Sequence, residues 1–343
     1  MPTGKRSLWM LALVAASALA MTVWLMKGNP PLPGPAEKIR IAGLSLPGAG
    51  LFFVAQEQGL FRAEGLEVDL QLHPTGKLAL DALGRGDADF AIAGDTPLVF
   101  SILAGRKLDI LATVYRPNGG ISIIARKERV ASPGDLKGKR LGVTLVSSGQ
   151  FFADTFLLVH GIPASSVTLV NLPQDEMAAA LLAGTIDAAC LWHPALAQMQ
   201  ASLGEQGITF PNDGLYTFRL SLVAPPGAAA AQPERSRKLL AALKQAQHFI
   251  GAQPEQALDI MSRSTGIPAA LFRRFFSPAE YDLGLEQGLL LALDDQSRWA
   301  IKNGFVKTDK HADKQADKLP NYLDYIQADG LTAVSPASVK IIR

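Results

Sequence analysis

Five histidines, one cysteine and an adjacent pair of serines are the residues of this chain with the reactivity for chemistry. His73, His160, His193, His248 and His311 are scattered, and none stands at metal-ligand spacing from another. Cys190 sits in an apolar run without a second cysteine, so neither an intrachain disulfide nor a multi-cysteine metal cluster can form, and it reads as a small buried hydrophobe. Ser147 and Ser148 would supply a nucleophile, and His193 its base, if folding brought them together, but no third residue that would orient the base can be named. The chain has no P-loop, no G-x-G-x-x-G and no G-x-S-x-G. An enzyme is not expected, and no cofactor or metal is implied. What remains are glycines, hydroxyls, amides and aromatic rings, which are groups that hold a molecule rather than transform it.

The elements that would position them follow a pattern that occurs twice. Leu80–Thr96 reads LDALGRGDADFAIAGDT and Ala178–Ala195 reads AAALLAGTIDAACLWHPA. In each copy a helical segment ends at a glycine (Gly86, Gly184), an aspartate follows three residues later (Asp89, Asp187), and an apolar run leads into a turn. The copies are 98 residues apart throughout. The physical reading is a helix stopped by a left-handed glycine, a buried strand, and a loop at that strand's carboxyl end. Upstream of each copy lie an earlier strand (Ile39–Gly43, Arg140–Thr144), a helix, and a second strand (Val68–Leu72, Val167–Leu172). Each half is thus a strand-helix-strand-helix-strand unit, which implies two lobes, each a mostly parallel sheet flanked by helices. The spacing further predicts helices over Leu51–Phe61, Pro268–Phe276 and Pro278–Gly304, a strand over Leu215–Ala224 returning to the first lobe, and a final strand at Val339–Ile342.

A length of 343 residues accommodates two domains, and 48% hydrophobic residues suffices for packed cores. The net charge of +2 and the lack of a basic stripe with interleaved aromatics argue against nucleic acid as a partner. Lys5 and Arg6 precede the uncharged run Leu8–Met26, a membrane-targeting segment with its positive end inward. Ala18-Leu19-Ala20 fits the small-x-small cleavage pattern, while the run is long enough to span a bilayer, so a removed signal peptide and a retained anchor both stay open. Residues from about 38 onward are expected outside the cytoplasmic membrane.

In order and spacing the chain resembles the periplasmic substrate-binding proteins of nitrate, sulfonate and taurine importers and their thiamine-precursor relatives. The matching segments are GLFRAEGLEVDL (Gly59–Leu70), Leu83–Asp89, DLKGKRLGV (Asp135–Val143), SSGQFF (Ser147–Phe152), LLAGTIDAACLWHP (Leu181–Pro194) and Ala246–Gly266. The resemblance implies an α/β, two-lobed periplasmic binding protein fold of type II with the ligand cleft at the hinge. Its parts would be 1–37 as signal peptide or anchor with a Pro-rich spacer, 38–118 as the first part of lobe I, 119–218 as lobe II, and 219–343 as the return to lobe I with C-terminal helices and tail. It also implies a periplasmic location and delivery of a small polar molecule, an anion by preference, to the permease and ATPase of an ABC importer. Two alternatives stay open: a membrane-anchored ligand-sensing module, and an enzyme acting on a thiamine-precursor-like pyrimidine. The chain lacks the cysteine cluster of the precursor-synthesising relatives, and it carries His193 where the family often has an acidic residue.

Ligand contacts are expected from loops at the strands' carboxyl ends. In lobe I these are Pro47, Gly48, Phe52, Thr75, Gly76, Gly94, Asp95 and Thr96, with Tyr115 and Asn118 at the crossing. In lobe II they are Ser147, Ser148, Gln150, Trp192 and His193. Asp95 and Ser147 also read as plain helix N-caps. Trp192 would give a stacking wall, and His193 as a ligand contact would make binding titrate near neutrality. Arg116 and Lys77 are the cations expected near the cleft.

Overall fold

The computed structural model describes residues 36–306 and 319–342; the segment Leu8–Met26 and the charge-rich stretch 308–318 lie outside the described residues. Strands β1 (Glu37–Leu44), β2 (Leu66–His73), β3 (Phe90–Gly94) and β4 (Asp109–Tyr115) alternate with helices α1 (Gly50–Glu57), α2 (Gly76–Arg85) and α3 (Asp95–Leu103). After β4 the chain crosses into a second sheet of β5 (Ile121–Arg126), β6 (Arg140–Val143), β7 (Thr168–Asn171), β8 (Ala188–Trp192) and β9 (Gly207–Phe210). Helices α4 (Ser148–Val159), α5 (Gln174–Leu182) and α6 (Ala195–Leu203) connect these strands. The chain then returns as β10 (Leu220–Ala224) and continues through α7 (Pro233–Ala252), α8 (Pro254–Thr265), the short strand β11 (Leu285–Glu286), α9 (Gln287–Lys302) and the closing strand β12 (Val339–Lys340). The strand orders are β2-β1-β3-β10-β4 and β7-β6-β8-β5-β9.

One strand in each sheet runs against the parallel set. β10 is antiparallel to both β3 and β4, and β5 is antiparallel to β8 and β9. Both are strands by which the chain enters a sheet after crossing from the other. Their first residues pair with the last residues of their neighbours: Leu220 with Gly94 and Tyr115, and Ile121 with Trp192. The crossings therefore meet each sheet at the carboxyl ends of its parallel strands, which is where ligand loops of open α/β sheets lie.

The repeated motif has a shared physical basis. Gly86 and Gly184 take φ of 77° and 72°, the left-handed stop that the sequence requires. Asp89 then turns back to the first strand and accepts hydrogen bonds from the Arg40 backbone N–H (2.8 Å) and guanidinium (3.1 Å). Asp187 does the same with Arg140, at 3.0 Å to the backbone N–H and 3.1 Å to the guanidinium, and Arg129 joins it at 3.4 Å. Asp89 thus pins the start of β3 to β1, and Asp187 pins the start of β8 to the start of β6.

Side-chain alternation distributes the cores. In lobe II Ile121, Ile123 and Ala125 of β5 face one cluster with Ala188 and Cys190 of β8, while Ile124 faces the other with Ala189 and Leu191. Lobe I has one larger core that takes in the strands together with α1, α7 and α8.

Several sequence expectations are corrected. The first helix ends at Glu57 and resumes as Leu60–Ala63 after the left-handed Gly59. Residues 215–219 are the second crossing, and only Leu220–Ala224 find strand partners. Helix Pro268–Phe276 shrinks to Ala269–Phe272, and Pro278–Gly304 divides into a 3-10 turn, β11 and α9. Strand β9 lies in a stretch that gave no strand signal, and β12 is two residues long because β11 offers it only that much edge.

Hydrogen bonds from Arg140 hold the Asp187 carboxyl below the usual carboxylate range, against the opposing pull of burial. A depressed folded-state value stabilises the fold above the unfolded value, and that contribution is lost as pH falls through the folded one. Asp187→Ala should lower the unfolding free energy at neutral pH by about 2 kcal/mol. The deficit, read by urea unfolding, should narrow as the pH drops below about 4.

Candidate ligand-binding site

The two lobes meet at the starts of α3 and α4, which follow β3 and β6. Tyr216, in the second crossing, donates its hydroxyl to Asp95 Oδ1 at 2.5 Å and stands edge-on to Phe151 of α4 with ring centroids 5.1 Å apart. Phe151 in turn meets Trp299 of α9 at 5.4 Å, and the Trp299 indole donates to Asp154 at 2.8 Å. Lobe I and lobe II are thus joined at the carboxyl ends of β3 and β6 by two hydrogen bonds and a chain of rings.

On the lobe I side Thr75 caps α2 by accepting from the Leu78 N–H, and a Cβ on Gly76 would lie 3.2 Å from Gly94 N, so these two loops abut. Phe218 lies on Gly94, where a Cβ would be 3.0 Å from its ring. Behind this edge Pro47, Gly48 and Phe52 are buried; a Cβ on Gly48 would lie 2.2 Å from Leu220, and the Pro47 carbonyl accepts from Tyr281. The first crossing is held by Glu280, which accepts from the Tyr115 hydroxyl and the Asn118 N–H, each at 3.1 Å. Burial pushes Glu280 up to about 7.

On the lobe II side Ser147 accepts from the Gly149 N–H and donates to the Thr144 carbonyl, while Gln150 accepts from the Val146 N–H. Trp192 ends β8 with its ring against Gly149, where a Cβ would be 3.0 Å away. Gln174 fixes the Trp192 backbone from below by accepting its N–H at 3.2 Å. His193 stacks on Phe275 with centroids 4.5 Å apart.

The residues expected from sequence therefore divide. Thr75, Gly76, Asn118, Ser147, Ser148, Trp192 and His193 keep solvent access at the carboxyl-end loops. Pro47, Gly48, Phe52, Gly94, Asp95, Thr96, Tyr115 and Gln150 lie buried beneath them and shape the site from behind. Asp95 is fully buried: its Oδ1 also accepts from the Thr96 N–H at 2.9 Å, and Oδ2 has no protein donor in hydrogen-bond geometry. Burial pushes its carboxyl up to about 6, against the Tyr216 hydrogen bond and the charge of Arg219. Thr96 donates to Gln296 of α9.

Arg219 is a cation that the sequence reading missed, since nothing local marks it inside a predicted strand. It is 8% exposed, donates to the Thr217 carbonyl at 2.8 Å, and leaves Nε without an acceptor. The cations expected there are already paired: Lys77 with Asp81 at 2.8 Å, and Arg116 with Glu286 at 2.6 Å.

Three side chains with reactive chemistry are committed or buried. The Ser147 hydroxyl is spent on backbone partners, and burial pushes His193 down to about 4, so it stays neutral and does not titrate near pH 7 as its residue type suggests. Cys190 is buried, donates to the Gly149 carbonyl, and has its thiol pushed well above the usual range by burial.

The raised Asp95 value carries a sign. A carboxyl whose folded-state value is above its unfolded value stabilises the fold fully at low pH, and that contribution is lost as pH rises between about 4 and 6. Asp95→Asn removes this dependence. The stability of the variant relative to the parent should therefore rise by about 2 kcal/mol from pH 4 to pH 7 in paired urea unfolding series.

Known proteins are similar to this chain in sequence and in fold. A protein of Brucella abortus that bears the name of a binding protein is 27% identical over 222 residues, covering 63% of this chain and 67% of its own. The taurine-binding periplasmic protein of Escherichia coli is 28% identical over 144 residues, covering 42% of this chain and 45% of that one. The crystal structure of the periplasmic aliphatic sulphonate binding protein of Escherichia coli superposes with a TM-score of 0.70 at 20% identity, over 79% of this chain and 94% of that one. The fold is accordingly the two-lobed α/β fold of periplasmic binding proteins. A family model described as NMT1/THI5 like matches residues 47–257, which is more than half of the sequence, and the chain belongs to that family.

Proposed function

We propose that this protein is an extracytoplasmic solute-binding protein that captures a small molecule between its two sheets and presents it to the permease of an ATP-driven importer. The observation that carries this reading is the facing of carboxyl-end loops from both lobes. They offer hydroxyls and aromatic rings, while Ser147, His193 and Cys190 are each committed or buried. The names of the relatives, which bind taurine and aliphatic sulphonates, support the same role. The charged-then-apolar N-terminal segment supports a periplasmic location, either free or tethered to the outer face of the inner membrane.

A ligand that touches both lobes stabilises the closed arrangement by its differential contacts, a hinge motion about the two crossings. The test is a thermal-shift series on the purified protein with sulfonates, taurine, nitrate, bicarbonate, pyrimidines and aromatic acids. At least one compound should raise Tm in proportion to the logarithm of its concentration above Kd and be recovered unchanged by NMR. Turnover of the compound, or no shift with any of them, would overturn the reading. Ser148→Ala should weaken that ligand by about fivefold, for one lost hydrogen bond, with the Tm of the empty protein held within a degree or two.

A further inference from the structure

We infer that the guanidinium of Arg219 and the first turn of α9 together form a binding site for a compact oxyanion, such as a sulfonate, carboxylate or sulfate group. The anion is either the acid group of the captured solute, which deepens the binding reading above, or a free inorganic ion, which does not depend on it. Arg219 is 8% exposed, and its Nη1 donates to the Thr217 carbonyl at 2.8 Å. The other edge of the guanidinium, Nε with Nη2, is the fork that takes two oxygens of an oxyanion side by side. Nε is buried without an acceptor, and Nη2 lies against α9, 2.8 Å from where a Cβ on Gly288 would stand. A guanidinium is costly to bury without a counter-charge in hydrogen-bond contact, and burial opposes the charge of this one.

The helix end supplies the second half of the site. α9 runs for 16 residues, its N-cap Glu286 makes no side-chain cap, and its first turn holds no acidic residue. The N–H groups of that turn and the positive end of the helix dipole therefore lie beside the fork with no carboxylate of the turn to satisfy them. Glycine at 288 is what lets the guanidinium come so close, and Glu286, Gln287 and Gly288 keep solvent access through which an ion can enter. The carboxylates nearby are engaged elsewhere. Glu286 and Asp282 pair with Arg116 at 2.6 and 3.5 Å, and Asp95 accepts from Tyr216 and from the Thr96 N–H. Asp95 and Glu286 act on Arg219 through their charge, and Arg116 opposes them. Arg116 begins the first crossing and Arg219 ends the second, so the ion would sit where both crossings meet lobe I.

Calorimetric titration of the purified protein at constant ionic strength, with sodium sulfate and sodium ethanesulfonate as probes, tests the inference. At least one probe should bind saturably. Arg219→Gln keeps an amide within reach of the Thr217 carbonyl but removes the charge and the fork, and should weaken binding about tenfold or more. Arg219→Lys, which keeps the charge alone, should fall between. Gly288→Ala covers the case in which Arg219→Gln does not fold: alanine suits a helix, and its Cβ would push the guanidinium off the turn, so binding should weaken by a similar factor. Ethanesulfonate that binds, alone or by displacing sulfate, assigns the site to the head group of a solute, whereas sulfate binding that ethanesulfonate does not disturb assigns it to a free ion. No saturable binding of either probe, or binding unchanged by both Arg219→Gln and Gly288→Ala, would overturn the site. Either of those results leaves the solute-binding reading to the thermal-shift series, whose pyrimidines need no anion site.

Discussion

Everything about the site depends on one constraint: the chain passes between its sheets twice, and both passages enter at the carboxyl ends of the parallel strands. Because β5 and β10 start there, they must run against their neighbours, and their first residues pair with Trp192, Gly94 and Tyr115. Loop ends that would otherwise belong to separate sheets are thereby set face to face. The helix starts that follow β3 and β6 come within reach of a single tyrosine.

The junction is polar where it is deepest. Asp95 sits without solvent under Tyr216, with Arg219 and Gln296 beside it, and one of its oxygens lacks a donor. A buried carboxylate of this kind stabilises little, because desolvation offsets what its partners return. What it contributes is definition, since an apolar pair would tolerate several relative settings of the lobes while a directed hydrogen bond tolerates few. The second contact between lobes, Trp299 with Asp154, has the same directed character.

The sequence made the lobes legible and the hinge illegible, for reasons that lie in the range of the interactions. Gly86 and Gly184 stop helices through their own backbone geometry, and Ser147 and Thr75 cap helices within four residues, so local patterns report them. The repeated aspartate was visible as a repeat, yet its partner lies 49 residues away in one lobe and 47 in the other, and spacing alone could not name Arg40 or Arg140. Glu280, Trp299 and Tyr216 act across still longer separations, 165 residues for Glu280 with Tyr115, 145 for Trp299 with Asp154 and 121 for Tyr216 with Asp95. Strand β9 was missed because GITF is too short and too mixed to signal by itself; it is a strand because β5 offers an edge. Phe52 and Gly48 were placed near the ligand by their loop, but the packing of Leu220, Tyr115 and Tyr281 behind that loop takes them into the core.

The way each sheet is stitched from the chain bears on how the molecule comes into being. Sheet II draws all of its strands from residues 121–210, an unbroken stretch, whereas sheet I needs residues 37–115 together with β10, and β11 beside it is completed only by β12 at residues 339–340. An unbroken stretch closes shorter loops and can condense early, while a sheet with a distant strand waits on the slow meeting of remote segments. On this topology lobe I is the half expected to mature late. A chain threaded through a membrane with its amino end leading would keep that half unfinished until its closing residues had cleared the channel.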